Sequence, residues 1–191
     1  MITSKQYDKL ADEFGIDKSK ILAIVEVESS GSGFDPATGL IKIQFEPSRF
    51  KRFTRFIIPN GVEKQAAERK AFSKAFAKNP DKAMQSTSWG MMQVMGFHYA
   101  RLGFKSVGAM VDFAKKSEYN QVWLGLKFIA TDKRTFDAVQ RWDVKKVALY
   151  YNGKNYWIKG YDKKLANAEA NYRVYFANES KIKANTSGGK G

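Results

Sequence analysis

Lys20–Phe34, KILAIVEVESSGSGF, is the stretch from which the 191-residue chain is read. Its apolar residues recur at helical spacing, two carboxylates stand among them, and Gly31 and Gly33 end the run. On a helix turning about 100° per residue with Ile21 at zero, Ile24 falls at about 300°, Val25 at about 40° and Glu28 at about 340°. Glu28 therefore lies within the apolar arc, and Glu26, at about 140°, lies at its edge. An ionised carboxylate on a buried helix face costs several kcal/mol when unpaired, which makes Glu28 a poor structural choice and a reasonable chemical one. It also stands near the negative dipole end of its helix. Burial and dipole both predict an upward pKa shift, the direction a general acid needs at neutral pH. The competing reading is an ion pair with one of the many basic residues, holding the fold and nothing more.

Composition narrows the surroundings of that helix. Hydrophobic residues at 43% and aromatic residues at 14% predict a packed globule, most simply one domain over residues 1–180 followed by a flexible tail, 181–191. No apolar run approaches the length of a membrane span, and the opening MITSKQYDKLADEF lacks the apolar core of a signal peptide. The absence of cysteine excludes disulfides and thiol catalysis, and one histidine argues against a protein-only zinc site. With 33 basic and 19 acidic residues, the formal charge of +14 predicts a polyanionic partner or environment: nucleic acid, an anionic membrane surface or a cell wall.

Taken in order, Thr3–Phe14 reads as a helix, and Ile21–Ser29 as the next, capped by Asp17 or Ser19. Leu40, Ile41, Ile43 and Phe45 predict a short strand or β-hairpin near residues 38–46, ending at Glu46 and Pro47, with Gly39 as a turn. Val62–Lys78 reads as an amphipathic, strongly basic helix with Ala71, Phe72, Ala75 and Phe76 on one side, and Ser86–Phe104 as a loop leading into a helix that carries His98. Ser106–Lys116 and Tyr119–Thr131 are expected helices, the second apolar enough to be central. Asp143 is a good N-cap for the helix that follows, which Gly153 stops, and Asp162–Asn178 closes the helical pattern. The fold class is mainly α, a helical bundle around a central helix with one small β element.

Three places couple polar groups to apolar support: Glu28-Ser29, Ser88-Trp89-Gly90-Met91-Met92-Gln93, and Tyr151-Asn152-Gly153. None is a phosphate loop, a zinc signature or a nucleophile elbow. Glu-Ser, Gly-x-x-Gln and Tyr-Asn in this order resemble the lysozyme-like superfamily of goose-type lysozymes and soluble lytic transglycosylases. The strings VEVESSGSGF, IQFEPSRF, SWGMMQVMG and YYNG are similar to the N-acetylmuramidase family of bacteriophage endolysins, over most of the chain from about Ile21 onward.

The resemblance implies an α+β lysozyme-like fold and a peptidoglycan hydrolase that cleaves the β-1,4 bond between N-acetylmuramic acid and N-acetylglucosamine. It places the general acid at Glu28, beside Ser29, and puts Gln93, Tyr151 and Asn152 at the sugar, Tyr151 against an equal reading as a core aromatic of its helix. Hydrolysis also calls for a second carboxylate. Glu46 is the first candidate, against pairing with Arg49 or Arg52; Asp35 is the alternative, against an Asx-turn before Pro36. Trp89 and Trp157 are candidates to stack on sugar faces, against core packing. His98, without a partner motif, reads as structural. Gly31 and Gly33 would keep the backbone beside the acid slim enough for a sugar chain.

No metal or organic cofactor is expected, and a monomer is the simplest state. Such an enzyme would be made in the host cytoplasm and reach periplasmic peptidoglycan through a separate pore, its basic surface, Val62–Lys78 included, standing in for a wall-binding domain. Two other functions fit parts of the pattern. A lytic transglycosylase would share the fold and give 1,6-anhydro products; a basic nucleic-acid-binding protein would account for the charge and for Phe53 and Phe56 among arginines.

Overall fold

The computed structural model describes residues 2–29, 31–59 and 64–187, with side chains as far as residue 179. The first two expected helices are α1 (Ser4–Phe14) and α2 (Lys18–Glu28). In α2 the buried residues are Ile21, Ala23, Ile24 and Val25, Glu26 is exposed and Glu28 is partly buried. The chain divides into two compact units, one of Met1–Gln6 with Glu28–Asp132, the other of Tyr7–Val27 with Lys133–Gly191.

The first unit is built on a three-stranded antiparallel sheet, β1 (Ile43–Phe45), β2 (Thr87–Trp89) and β3 (Val94–Met95), in the order β1-β2-β3. Ile43 faces Trp89 and Gln44 faces Ser88 across the first ladder, and Ser88 faces Met95 across the second. Of the short strand or hairpin expected near residues 38–46, the strand is β1, and the hairpin is reduced to a Phe34–Ile41 bridge around the turn at Asp35. The partner of β1 comes instead from far later in the chain. Ser86–Phe104 is correspondingly a strand, a turn, a second strand and a 3-10 turn at Gly96–His98, not a loop into a helix. Gly90 at φ +69° and Gln93 at φ +48° reverse the chain there.

As an edge strand, β1 would expose unpaired backbone groups, and α4 (Gln65–Lys78) takes them up. The Gln65 amide accepts the Ile43 N–H at 3.0 Å and donates to the Ile43 carbonyl at 2.8 Å. Glu68 Oε2 accepts the Phe45 N–H at 2.8 Å, and Arg69 Nη2 donates to the Ile41 carbonyl. The charged face of α4 is thus partly spent on the sheet. Ala71 and Ala75 join Phe45, Phe50, Ile58 and Ala83 in a core cluster against which Phe72 packs, whereas Phe76 is exposed. The expected start of this helix at Val62 lies outside the described residues.

Two short helices escape the apolar pattern because local caps define them. Pro47 begins α3 (Pro47–Thr54), and Asn79 caps α5 (Pro80–Gln85) by accepting the Lys82 N–H at 2.9 Å. The Asn79-Pro80 pair therefore ends one helix and starts another. Beyond the sheet, α6 (Val107–Lys115) and α7 (Glu118–Ala130) follow, capped by Ser106 and Ser117. The expectation of a central helix holds for α7, which buries Gln121, Val122, Leu124, Gly125, Leu126 and Ile129.

The second unit carries α8 (Lys133–Arg141), α9 (Val144–Asn152) and α10 (Tyr161–Ser187). Asp143 caps α9 through the Lys146 N–H at 3.2 Å, and Gly153 at φ +85° stops it. The helix α10 outruns its expected end at Asn178; of the expected tail, residues 181–187 continue the helix and 188–191 lie outside the described residues. Among the described residues no helix is long and apolar enough to cross a membrane.

His98 packs between Phe97 and Phe128, with ring centroids 3.9 and 4.9 Å away. Burial, reinforced by the Arg101 and Arg49 charges, lowers its pKa to about 4. The unfolded chain, with an ordinary histidine near 6.5, then binds the proton first as pH falls. The expected result is a wild-type thermal midpoint that drops between about pH 6.5 and pH 4, and drops less in His98→Gln; equal slopes in calorimetric scans would contradict this assignment.

Candidate active site

Glu28 is the last residue of α2, and Ser29 follows it, both partly buried. The neighbouring Glu26 is already engaged, since Tyr172 Oη donates to its Oε2 at 2.7 Å. Burial and that hydrogen bond raise the Tyr172 pKa to about 12, so the phenol stays protonated and keeps donating. The two carboxylates of the opening stretch thus differ in setting, Glu26 exposed and bonded to Tyr172 and Glu28 partly buried.

The loop leaving Glu28 is fastened at several points. Gly31 takes φ +85°, a left-handed conformation that costs glycine little. Gly33 N–H donates to Glu118 Oε1 at 3.1 Å, and the Ser32 hydroxyl lies 3.1 Å from the same oxygen. Burial pushes the Glu118 pKa up, but hydrogen bonds, those from Gly33 and Ser32 among them, outweigh it and hold the carboxyl below its ordinary value. The Gly33 carbonyl accepts the Lys42 N–H at 2.8 Å, and the Lys42 carbonyl accepts the Gly90 N–H at 2.8 Å. A backbone ladder therefore runs from the Glu28 loop, through the residue before β1, to the turn between β2 and β3.

One side chain locks that ladder. Gln121, only 1% exposed, accepts the Met91 N–H on Oε1 at 2.7 Å and donates from Nε2 to the Ala114 carbonyl at 3.2 Å. A Cβ at Gly33 would fall 1.7 Å from Gln121 Oε1, and one at Gly90 would fall 2.6 Å from the same amide. The slimness of Gly33 is thus used by Gln121, not left open beside Glu28 for a sugar. Sequence reading overlooked both Gln121 and Glu118. A glutamine in the apolar run of α7 was the available signal, because a buried amide must find partners.

The sheet presents a polar face next to this ladder. Alternation along β1 sends Gln44 and Glu46 to the side opposite Ile43 and Phe45, and register puts Ser88 on the Gln44 side. Ser88 Oγ donates to Gln93 Oε1 at 2.8 Å, and Gln93 Nε2 donates to the Gly90 carbonyl at 2.7 Å. These bonds hold Gln93 at a φ that non-glycine residues rarely adopt, a strain of order 1–3 kcal/mol. Glu46 ends the strand: its N–H donates to the Ser86 carbonyl at 2.8 Å, and its own carbonyl starts α3 by accepting from Arg49 and Phe50. Its side chain makes no cap bond. The arginines weighed as its partners are elsewhere, Arg49 over the Phe97 ring at 4.3 Å and Arg52 over Phe53 at 5.9 Å.

The remaining candidates separate clearly. Trp89 is 3% exposed on the other sheet face, donates from Nε1 to the Met84 carbonyl at 3.1 Å and meets Phe72 edge-on at 5.5 Å, which is core packing. Asp35 forms the Asx-turn, accepting the Ala37 N–H at 3.1 Å and the Thr38 hydroxyl at 3.0 Å. Tyr151 and Asn152 end α9 in the second unit, both partly buried, and Trp157 stands 67% exposed in the turn after them. Among the described residues no three His, Cys, Asp or Glu side chains cluster as metal ligands.

The sequence profile of the N-acetylmuramidase family matches residues 17–173, and the chain belongs to that family. Its fold is the lysozyme-like one of the endolysin of Burkholderia phage AP3, whose crystal structure superposes with a TM-score of 0.85 at 32% identity, over 91% of this chain and 71% of that one. No curated protein matches. The protein is accordingly a muramidase, and peptidoglycan is its substrate.

Two outcomes follow for the locked loop and turn. Gln121→Ala, which orphans the Met91 N–H, is expected to lose roughly 2–4 kcal/mol in urea titrations and Gly33→Ala about 1–3 kcal/mol. The double variant should lose less than their sum, because the shortened side chain leaves room for the methyl; strict additivity would deny the contact. At the strained turn, Gln93→Gly should be more stable than Gln93→Ala by about 1 kcal/mol, with muralytic activity lowered in both.

Proposed function

We propose that the protein is a phage-type endolysin that hydrolyses the β-1,4 bond between N-acetylmuramic acid and N-acetylglucosamine, with Glu28 as general acid and Glu46 as the second carboxylate. The observation that carries this reading is the backbone ladder from Gly33 through Lys42 to Gly90. It ties the segment leaving Glu28 to the turn that holds Gln93, on the sheet side shared by Ser88 and Glu46.

In this mechanism Glu28 gives its proton to the glycosidic oxygen as the bond from C1 to that oxygen breaks. Water adds to C1, and its proton passes to Glu46 or, through solvent, back to Glu28. A free carboxylate suits the second role, and among the described residues Glu46 has no ion pair or side-chain hydrogen bond. Ser29 and Gln93 are assigned to the sugar substituents, and the family resemblance alone carries the same assignment for Tyr151 and Asn152 of the second unit. Trp89 is left out, since a ring 3% exposed offers no face to a glycan.

The similarity to a phage endolysin supports synthesis in a bacterial host and action on its periplasmic wall after release by a separate pore. The +14 charge would draw a monomeric enzyme to anionic envelope polymers, an attraction that salt weakens.

Glu28→Gln is expected to lower the rate of turbidity loss on purified peptidoglycan roughly 10²–10⁴-fold with an unchanged thermal midpoint. Glu46→Gln should also lower it, and mass spectra of the wild-type products should show muropeptides one water heavier than 1,6-anhydro forms. Anhydro products together with a fully active Glu46→Gln would instead identify a lytic transglycosylase, and an active Glu28→Gln would remove the acid assignment.

A further inference from the structure

On the sheet face away from Glu46, the first unit forms a cavity of about 560 Å³ that is half open to solvent. Ile43, Phe72, Trp89 and Val111 line it, with Leu40 and Phe76 beside them. Voids in packed interiors are mostly no larger than a water molecule, whereas ligand sites run to about 300–1,000 Å³. Leu40 is 51% exposed and Phe76 41%, so apolar surface that a guest would cover is held in water. Most of this wall is apolar, which suits a hydrocarbon chain better than the many hydroxyls of a glycan.

Two cations, Arg69 and Lys115, also line the cavity. Arg69 Nη2 is used on the Ile41 carbonyl, but its buried Nε has no hydrogen-bond partner. Burial pulls the guanidinium pKa down while the Asp35 charge opposes it, and no carboxylate stands close enough to form an ion pair among the described residues. Lys115 has only a solvent-exposed contact with Asp112 at 3.5 Å. An apolar hollow with two underused cations asks for a guest that is greasy along its length and anionic at one end.

We propose that this cavity is a binding site for a single-chain aliphatic carboxylate, the chain against Leu40, Phe72 and Phe76 and the carboxylate drawn by Arg69 and Lys115. The site shares no residue with the proposed hydrolytic centre, so it stands or falls independently of that reading.

Calorimetric titration of the full chain with decanoate tests it. Saturable binding of one decanoate is expected, with octanoate about fifteenfold weaker, roughly fourfold for each methylene lost. Decyltrimethylammonium, with the same chain and the opposite charge, should bind at least tenfold more weakly. Bromodecanoate should quench tryptophan fluorescence in the wild type and much less in Trp89→Phe. Lys115→Gln, at an exposed position, should weaken decanoate severalfold at an unchanged thermal midpoint, and Ala77→Trp, which adds bulk at an exposed lining position, should abolish binding. Arg69→Gln should weaken it further, and its midpoint is checked because the Ile41 bond is lost. Non-saturating uptake, equal affinity for the cationic amphiphile, or wild-type affinity in Ala77→Trp would overturn the proposal.

Discussion

A buried amide must bond on both sides or cost the fold, and Gln121 meets that demand by joining parts of the chain that are distant in sequence. Its oxygen takes the Met91 N–H, its nitrogen reaches the Ala114 carbonyl, and Gly33 and Gly90 press against its side chain where no other residue would fit. Removing the amide would strand a buried donor, a cost of about 1–3 kcal/mol for that one group. Enlarging either glycine would expel the amide. The loop that leaves Glu28 and the turn that holds Gln93 are therefore placed by one constraint.

Around this fixed point the small sheet sorts chemistry by face. With only three short strands, each residue's side is decided by the ladder, and β1 and β2 send Gln44, Ser88 and Glu46 one way and Ile43 and Trp89 the other. The polar side adjoins the strained Gln93, whose left-handed backbone is held by bonds to Gly90 and Ser88. The apolar side opens on the cavity. The free edge of β1 is closed by Gln65, Glu68 and Arg69, so the charged helix α4 is part of the sheet's hydrogen bonding as well as of the basic surface.

Cations in this chain are often placed against aromatic rings. Arg49 lies over Phe97, Arg101 over Phe128, Lys82 over Phe53 and Arg134 over Tyr150. Each such contact keeps a positive charge near the surface while covering apolar area, worth about 0.5–1 kcal/mol at exposed sites. The surplus that makes the chain strongly basic is thereby carried without anionic partners for every cation. The same arrangement runs through the interleaved aromatics and cations around Phe53 and Phe56, where Arg52 and Lys82 lie over Phe53 and Lys78 over Phe56.

Sequence alone determined what rests on local periodicity and on motif order. The helices α1, α2, α6, α7 and α9 follow from apolar spacing and caps such as Asp143, because those signals act within a few residues. The family followed from four strings in order, and the distinction between Glu28 and Glu26 from helical angle. Tertiary structure decided what depends on partners distant in the chain. Only the pairing with β1 turns Ser86–Met95 into a hairpin, and only that register sends Trp89 into the core and Ser88 to the polar side. Gly33 and Gly31 look alike in sequence, yet one is needed for its φ of +85° and the other for the missing Cβ beside Gln121. The helix that ends at Glu28 was legible because a helix is its own hydrogen-bond partner; the surroundings of Glu28 were not, because a strand, a clamp and a cavity each need another part of the chain to exist.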